Sequence, residues 1–230
     1  MNLVGINSRI QLHNSHYTHE HSLVDMPYKL YYFAIRGRAE PIRTLFIDNG
    51  IAFDDTQFLK NDEWWAMKNN FTFGQVPCLK DGDFEIPQSS AILRHVARKH
   101  GLEGDTEEEK TFVDFFAEGV KDLHNKYTKM IYNEYEKKDE FISTIYPVDL
   151  GRLEKLLKMH KDGQAFVLGD KLSYADYVLF EELDIALILS STSLDGFPTL
   201  KAYHERFAAR PNLKDYFSSR KLAVNNNGRQ

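Results

Sequence analysis

Three short segments of the chain carry groups that could bind and activate a small peptide with a thiol. Residues 31–41 place the hydroxyl of Tyr32 at a strand-to-helix turn, with Arg38 shortly after it. Residues 73–77 end in Gln-Val-Pro, which holds the backbone extended before the proline. Residues 87–94 open a helix with polar side chains at its positive end, where a carboxylate binds well. Together the segments predict a site for an acidic peptide that carries a thiol.

The tyrosine hydroxyl is the group best suited to activate such a thiol. A free thiol has a pKa of about 8.5, so only a small fraction is thiolate at neutral pH. Lowering that pKa by about two units requires roughly 2.7 kcal/mol. One hydrogen bond to a charged group contributes about 1.5–3 kcal/mol. One hydroxyl such as that of Tyr32 would therefore suffice as the thiolate donor, although a tyrosine in an aromatic strand, taken alone, is more often a core residue.

The composition limits the class of protein and its compartment. A net charge of −5 and an isoelectric point near 6.0 argue against a nucleic acid or an anionic membrane as partner. The single cysteine, Cys78, permits no intrachain disulfide and is expected to be inert in a buried strand. No apolar run approaches the roughly 20 residues that span a bilayer. We therefore expect a cytoplasmic protein.

The first 25 residues differ from the rest of the chain. They carry histidines at positions 13, 16, 19 and 21 and show no sustained periodicity. Weak chelation of a transition metal is one interpretation of that spacing. The favoured interpretation is a disordered leader at 1–25 that takes no part in the fold.

The periodicity of the remaining chain changes near residues 101–105. Before that point strands and helices alternate: a strand at 28–33, a helix at 38–49, a strand at 51–58, hairpin strands at 76–79 and 84–86, and a helix at 90–99. After it the apolar spacing is helical, and capping boxes at residues 106–109 and 173–176 each begin a helix. The chain is predicted to hold an α/β domain at 26–102, an all-helical domain at 106–219 and a tail at 220–230.

With this order of elements, the three segments resemble those of the cytosolic glutathione transferases. The resemblance runs from Met26 to Gln230, and its most specific string is Gln88-Ser89 followed by residues 92–95. It implies a thioredoxin-like α/β domain with a mixed four-stranded sheet, followed by an all-α domain. It also implies an enzyme that conjugates the thiolate of reduced glutathione, stabilised by Tyr32, to hydrophobic electrophiles in detoxification. No metal and no cofactor beyond the co-substrate glutathione are expected.

The resemblance implies how the glycyl end of glutathione would be held. Arg38 lies beside the thiolate and this end of the peptide, and Lys68 contacts the glycyl carboxylate. Trp64 is the expected glutathione-contacting tryptophan. Its neighbour Trp65 remains an alternative, because the loop is one residue shorter than in the family.

The segment Gln75-Val76-Pro77 and the pair Gln88-Ser89 complete the implied glutathione site. In the family the proline is cis, and the backbone of the preceding residue, here Val76, pairs with the cysteinyl unit as an added strand would. The γ-glutamyl carboxylate docks against the residues that correspond to Gln88 and Ser89.

Two further residues imply a homodimer. Asp122 matches an aspartate that reaches across the dimer interface to the partner's γ-glutamyl ammonium. Phe73 occupies the position of an aromatic key that inserts between helices of the neighbouring subunit, and partner burial suits an exposed aromatic side chain.

The pocket for the electrophile resembles that of the pi class. The resemblance rests on residues 126–132 and on the tail at 225–230. It implies that Tyr132, Phe33 and Ile35 line this pocket, where the Tyr132 hydroxyl could donate to an oxygen that develops charge on an epoxide or enone.

The chain also departs from the family, and other functions stay open. Residues 67–73 lack the reactive cysteine of mammalian pi-class enzymes, so thiol regulation is not expected there. Asp176 matches a buried aspartate with a structural role. One alternative is a non-catalytic carrier of apolar ligands such as haem, and another is a sigma-like prostaglandin isomerase. The pairing of Tyr32 with Arg38 favours catalysis, because a carrier needs no thiolate donor.

Overall fold

The computed structural model of the protein describes residues 28–58 and 62–230. The leader expected at residues 1–25, with its four histidines, lies outside the described residues. Within the described part of the chain, no helix is long and apolar enough to cross a bilayer.

The N-terminal part is built on a mixed four-stranded sheet in the order β2-β1-β3-β4. Its strands are β1 (Tyr28–Phe33), β2 (Phe53–Phe58), β3 (Cys78–Asp81) and β4 (Phe84–Pro87). β1 pairs parallel with β2 and antiparallel with β3, which pairs antiparallel with β4. A parallel pair needs a crossover, and α1 (Glu40–Asp48) supplies it.

Some element boundaries differ from the sequence-based expectation. The predicted first helix begins as a 3₁₀ turn, Gly37–Ala39, before α1. β3 begins two residues later than predicted, because Pro77 has no N–H to donate to the hydrogen bonds of the sheet. The short helix α2 (Asp62–Met67) was not predicted, while α3 (Ser89–His100) extends the predicted helix by one residue at each end.

The C-terminal part is helical, as its periodicity predicts. The helices are α4 (Glu107–Asn133), α5 (Lys138–Glu140), α6 (Tyr146–Leu157), α7 (Tyr174–Leu189), α8 (Pro198–Ala208) and α9 (Pro211–Ser219), with a π-helical stretch at Phe141–Ile145. The predicted capping box is present at the start of α4, where the Thr106 hydroxyl accepts from Glu109 N–H. The apolar stripe predicted for α4 is buried throughout: Phe112, Phe116, Val120, Leu123, Tyr127 and Met130.

Asp176 organises the start of α7 with more bonds than a helix cap alone. Its carboxylate accepts from the backbone N–H and hydroxyl of Ser173, as the capping box predicts. It also accepts from Val167 N–H and from the Tyr203 hydroxyl. Burial raises the pKa of Asp176 to about 6, although these hydrogen bonds favour the ionised form. The residue is a structural centre of the helical domain.

Buried charges join the two parts of the chain. The guanidinium of Arg36, in the turn after β1, donates to both oxygens of Glu181 at 3.0 and 2.8 Å. It also donates to Asp184, which accepts from Arg220 as well. Arg220 in turn bonds Glu40 at the start of α1. The turn between β1 and α1 is thereby tied to α7 and to the C-terminal segment.

Candidate active site

Tyr32 lies at the end of β1 with its hydroxyl held by the following turn. The backbone N–H of Arg38 donates to Tyr32 Oη at 3.1 Å. The tyrosine is only 7% exposed, and the guanidinium of Arg43 lies 5.8 Å from the centre of its ring. Burial raises the pKa of Tyr32, a change opposed by the Arg38 hydrogen bond and by the nearby arginine charges. The hydroxyl therefore keeps its proton at neutral pH and can donate it to an anion.

Gly37 makes room for this hydroxyl, a role that the sequence reasoning missed. Its φ is +42°, a conformation that favours glycine. A β-carbon at this position would lie 2.6 Å from Tyr32 Oη and 3.0 Å from the ring. The only signal in the sequence is a glycine between two arginines just after a strand.

Arg43 also stabilises this turn, by hydrogen bonds to its carbonyl oxygens, and the sequence did not predict this role. It is buried in α1 and donates to the carbonyl oxygen of Ile35 at 2.8 Å and to Asp55 at 2.9 Å. A weaker bond of 3.4 Å reaches the carbonyl of Arg36. This contact set depends on the fold, because Asp55 lies on the next strand.

A cleft beside the turn brings six of the predicted residues together. Its volume is about 340 Å³, and its lining consists of Arg38, Gln75, Val76, Pro77, Gln88 and Ser89. The Val76–Pro77 peptide bond is cis, as the resemblance implied. Three separate segments of the sequence therefore meet at one surface.

The helix that borders this cleft begins with an unusual backbone. Gln88, the residue before α3, has a φ of +73°, which is uncommon for a residue other than glycine. It makes no side-chain cap to the helix, so Ser89 is the first helical residue. The N–H groups and positive end of α3 therefore meet the cleft, where they favour a carboxylate. Local strain of this kind is common at ligand sites.

Comparison with known sequences identifies the arrangement. A sequence model of the glutathione S-transferase N-terminal domain matches residues 28–98, and one of the C-terminal domain matches residues 121–220. The chain belongs to the glutathione S-transferase family.

Similar proteins agree with this membership. The chain is 53% identical to a glutathione S-transferase of Dirofilaria immitis, an alignment that covers 89% of this chain and 100% of that protein. The structure of the pi-class glutathione S-transferase of Onchocerca volvulus is similar with a TM-score of 0.87 and 53% identity, covering 89% of this chain and 100% of that one. A monomeric relative, Na-GST-3 of Necator americanus, has a TM-score of 0.78 at 32% identity, covering 86% of this chain and 99% of that one.

The chain is thus an enzyme of this family and of the pi-class type, which confirms the predicted fold class and family. The roles of individual site residues stay predictions. Among the described residues, no group of three or more histidine, cysteine, aspartate or glutamate side chains is placed to hold a metal ion.

The two tryptophans that the sequence could not separate have different surroundings in this glutathione S-transferase. Trp64 is 5% exposed and stacks on Phe58 at 5.2 Å between ring centres. Trp65 is 57% exposed, and the ammonium of Lys68 lies 5.3 Å from its ring. Trp64 is a packing residue with little surface left for glutathione, whereas Trp65 and Lys68 form an accessible pair.

Of the residues predicted to line the electrophile pocket, Tyr132 has the most accessible side chain. It is 39% exposed, and its hydroxyl oxygen accepts from the backbone N–H of Asn226 at 3.1 Å. Phe33 packs edge-on against Trp64, and Ile35 is buried beside Ala223 of the tail. The tail therefore forms one wall of this region.

The residues predicted to face a second subunit are exposed. Phe73 is 61% exposed, and Asp122 lies on the surface of α4. Phe115, seven residues before Asp122, is also exposed. Residues at this spacing share one face of a helix, so an aromatic ring and a carboxylate lie along the same surface.

Proposed function

We propose that this glutathione S-transferase stabilises the thiolate of glutathione with the hydroxyl of Tyr32, for attack on hydrophobic electrophiles. The observation that carries the proposal is that one residue, Arg38, both contacts the hydroxyl of Tyr32 and lines the cleft. Arg38 donates its backbone N–H to Tyr32 Oη at 3.1 Å, and the same residue lines the cleft. A hydrogen bond to a charged acceptor contributes about 1.5–3 kcal/mol, enough to lower a thiol pKa by one to two units.

The proposed position of glutathione follows from the polarity of the cleft. The γ-glutamyl carboxylate binds at the N-terminus of α3, against Gln88 and Ser89. The cysteinyl backbone pairs with Val76, which directs the thiol towards the Tyr32 turn. Arg38 and Lys68 provide positive charge for the glycyl end, and the accessible Trp65 borders Lys68.

In the proposed reaction the thiol proton leaves to solvent and the thiolate forms a bond to the electrophilic carbon. The electron pair moves to a leaving group, or to an oxygen when the substrate is an epoxide or an enone. Tyr132, which is 39% exposed, donates a hydrogen bond to that oxygen. Conjugation attaches a charged peptide to an apolar compound, which is the chemistry of detoxification.

We further propose a homodimer in which Asp122 of one subunit completes the site of the other. Exposed Phe73 and the exposed face of α4 with Phe115 support this arrangement, because large exposed aromatic rings are typical of interfaces. Na-GST-3 is monomeric, so family membership alone does not set the oligomeric state. Sedimentation of the parent protein and of Phe73→Ser tests the proposal: the parent should be a dimer and the variant a weaker one.

We also propose a cytoplasmic location and a reaction without a further cofactor. In that reaction the nucleophile is the thiol of glutathione and not the single cysteine of the chain. Cys78 is buried, and burial raises its pKa to about 12. This thiol is therefore unsuited to act as a nucleophile in place of glutathione.

The decisive experiment compares the parent protein with Tyr32→Phe in conjugation of glutathione to a chlorodinitrobenzene. Tyr31→Phe is the matched control, because neighbouring residues of a strand point to opposite faces. The ultraviolet absorbance of bound thiolate reports ionisation directly. We expect Tyr32→Phe to bind glutathione but to lose most of its thiolate and rate, while Tyr31→Phe keeps both.

Two results would contradict the proposed function. Equal thiolate absorbance in the parent and Tyr32→Phe would show that another group stabilises the thiolate. A folded parent that binds glutathione and conjugates none of several electrophiles would favour the carrier alternative.

A further inference from the structure

We propose that Asn225 and the buried hydroxyl of Tyr127 position the hydroxyl of Tyr132 for substrates that develop negative charge on oxygen. The inference deepens the proposed function, since it rests on Tyr132 as the donor to that oxygen. Asn225 and Tyr127 are positioning residues here, because they act through Tyr132.

The hydrogen bond to Tyr132 has the polarity that such a donor needs. The backbone N–H of Asn226 donates to Tyr132 Oη at 3.1 Å, so the bond uses a lone pair of the oxygen. The phenolic proton remains available for a substrate. A donor whose orientation is fixed before reaction stabilises developing charge better than one that must first be ordered.

Two asparagines attach the tail on either side of this N–H. The side-chain amide of Asn225 donates to Tyr127 Oη at 3.3 Å, and the amide of Asn227 donates to the carbonyl of Ile131 at 2.9 Å. Asn227 N–H also donates to the Asn225 side-chain oxygen. Both partners on α4 lie within five residues of Tyr132, so the tail is held against the same stretch of helix that carries the donor.

Because it is buried, the Asn225–Tyr127 contact opposes a shift of the tail more strongly than the contact of Asn227 with Ile131. Both residues are almost fully buried, at 5% exposure each. A shift of the tail by one residue would remove a hydrogen bond from a buried hydroxyl, which is unfavourable. The Ile131 carbonyl, by contrast, also accepts from Arg229 and keeps a partner if Asn227 moves.

The start of the tail is fixed to the glutathione side of the site. The N–H groups of Arg36 and Gly37 donate to the carbonyls of Ala223 and Val224 at 2.8 and 3.3 Å. Asn225 follows directly. The tail therefore runs from the turn after Tyr32 to the hydroxyl of Tyr132, and it sets the relative position of the two tyrosines.

The test compares two classes of electrophile that differ in how far charge is localised on one oxygen. An epoxide develops an alkoxide on a single oxygen, whereas a chlorodinitrobenzene spreads its charge over the ring and the oxygens of both nitro groups, so that one hydrogen bond matters less. The variants are Tyr132→Phe, Tyr127→Phe and Asn225→Ala. Tyr177→Phe is the matched control, since it removes a buried hydroxyl that donates to Asp48 at 2.7 Å and does not contact the tail.

We expect Tyr132→Phe to lower kcat with the epoxide about tenfold, and Tyr127→Phe and Asn225→Ala to lower it about three- to fivefold, from the loss of one hydrogen bond. The rate with the chlorodinitrobenzene and the KM for glutathione should stay within twofold of the parent. Tyr127→Phe added to Tyr132→Phe should cause no further loss, because the two act through one hydroxyl. Tyr177→Phe should not change the ratio of the two rates.

The outcomes separate this inference from the function on which it rests. If Tyr132→Phe lowers the epoxide rate but Tyr127→Phe and Asn225→Ala do not, the positioning role is refuted and the role of Tyr132 stands. If Tyr132→Phe has no effect, Tyr132 is not the donor and both ideas fail. Equal losses on both electrophiles would reveal a general structural effect, which also overturns the inference.

Discussion

The proposed glutathione cleft and the proposed electrophile side of this enzyme differ in what fixes their shape. The cleft depends on backbone conformation, with Gly37 at a φ of +42° and Gln88 at +73°. The electrophile side depends on the exposed ring of Tyr132 and on a tail attached by asparagine side chains. Backbone geometry tolerates few substitutions, whereas side-chain contacts can be exchanged one at a time. This division suits the proposed function, in which one constant co-substrate reacts with many electrophiles.

The most damaging change should be Gly37→Ala, on the cleft side. The new methyl group would approach Tyr32 Oη to 2.6 Å in a backbone conformation that favours glycine. We expect kcat/KM to fall by more than about 100-fold, as when a principal hydrogen-bond donor is lost. Steady-state kinetics with a chlorodinitrobenzene would measure the fall. Gly196→Ala is the control, because a β-carbon there meets nothing within 4 Å. Similar activities of the two variants would contradict the role of Gly37.

The pH dependence of Tyr32→Phe should give the next largest effect. Loss of a donor to the thiolate raises the thiol pKa towards about 8.5, so the rising limb of kcat/KM moves to higher pH. The loss should reach up to about 100-fold below pH 6.5 and shrink as pH rises through the new pKa. Because burial raises the pKa of Tyr32, the parent should show no decline near pH 9 from tyrosine ionisation. A pH-independent loss in the variant would indicate that Tyr32 acts by another route.

Gln88→Gly should separate binding from stability within the cleft. Glycine relieves the positive φ of +73°, so the free energy of unfolding should stay constant or rise by up to about 1 kcal/mol. Loss of the side chain should raise the Kd for glutathione about tenfold. Denaturant titration and calorimetry measure the two quantities. Gln164→Gly, at a φ of −76°, is the control and should lose stability. A marked loss of stability in Gln88→Gly would argue against strain at this position.

The smallest effect should come from Asn227→Ala on the electrophile side. Arg229 still donates to the Ile131 carbonyl at 3.1 Å, so the tail keeps one of its two contacts there. We expect KM for the electrophile to rise about two- to threefold, with KM for glutathione unchanged. Initial rates with each substrate varied in turn will test this. A rise in the glutathione KM would show that the two sides are not independent.

The sequence alone predicted those site residues that lie in short contiguous strings, and it missed those whose role depends on contacts in the folded chain. Tyr32, the Gln75–Pro77 segment and the Gln88-Ser89 pair are recognisable because each is a short contiguous string. Gly37 and Arg43 were missed because their roles depend on contacts with Tyr32 and with Asp55 on another strand. The different surroundings of Trp64 and Trp65 follow from the packing of Trp64 against Phe58, which no local pattern encodes.

The same reasoning explains the result for the fold. The stripe of α4 and both capping boxes were predicted because apolar spacing and capping chemistry are local. The helices between residues 138 and 157, the helix α9 and the short α2 were not predicted. The segment at residues 138–157 contains a π-helical stretch at Phe141–Ile145, which shifts the apolar period away from that of a regular helix.

The pairing of Arg36 with Glu181 has a consequence for how this protein can be divided. Arg36 belongs to the turn that holds the Tyr32 hydroxyl, yet its buried partner Glu181 and its half-buried partner Asp184 are on α7. Separation of the α/β part from the helical part would break these bonds and would expose apolar side chains of a core that spans both parts. The two parts should therefore melt as one cooperative unit. An excised thioredoxin-like half would retain the residues of the three sequence segments. It would lose the bonds from Arg36 to α7 that hold the turn after β1.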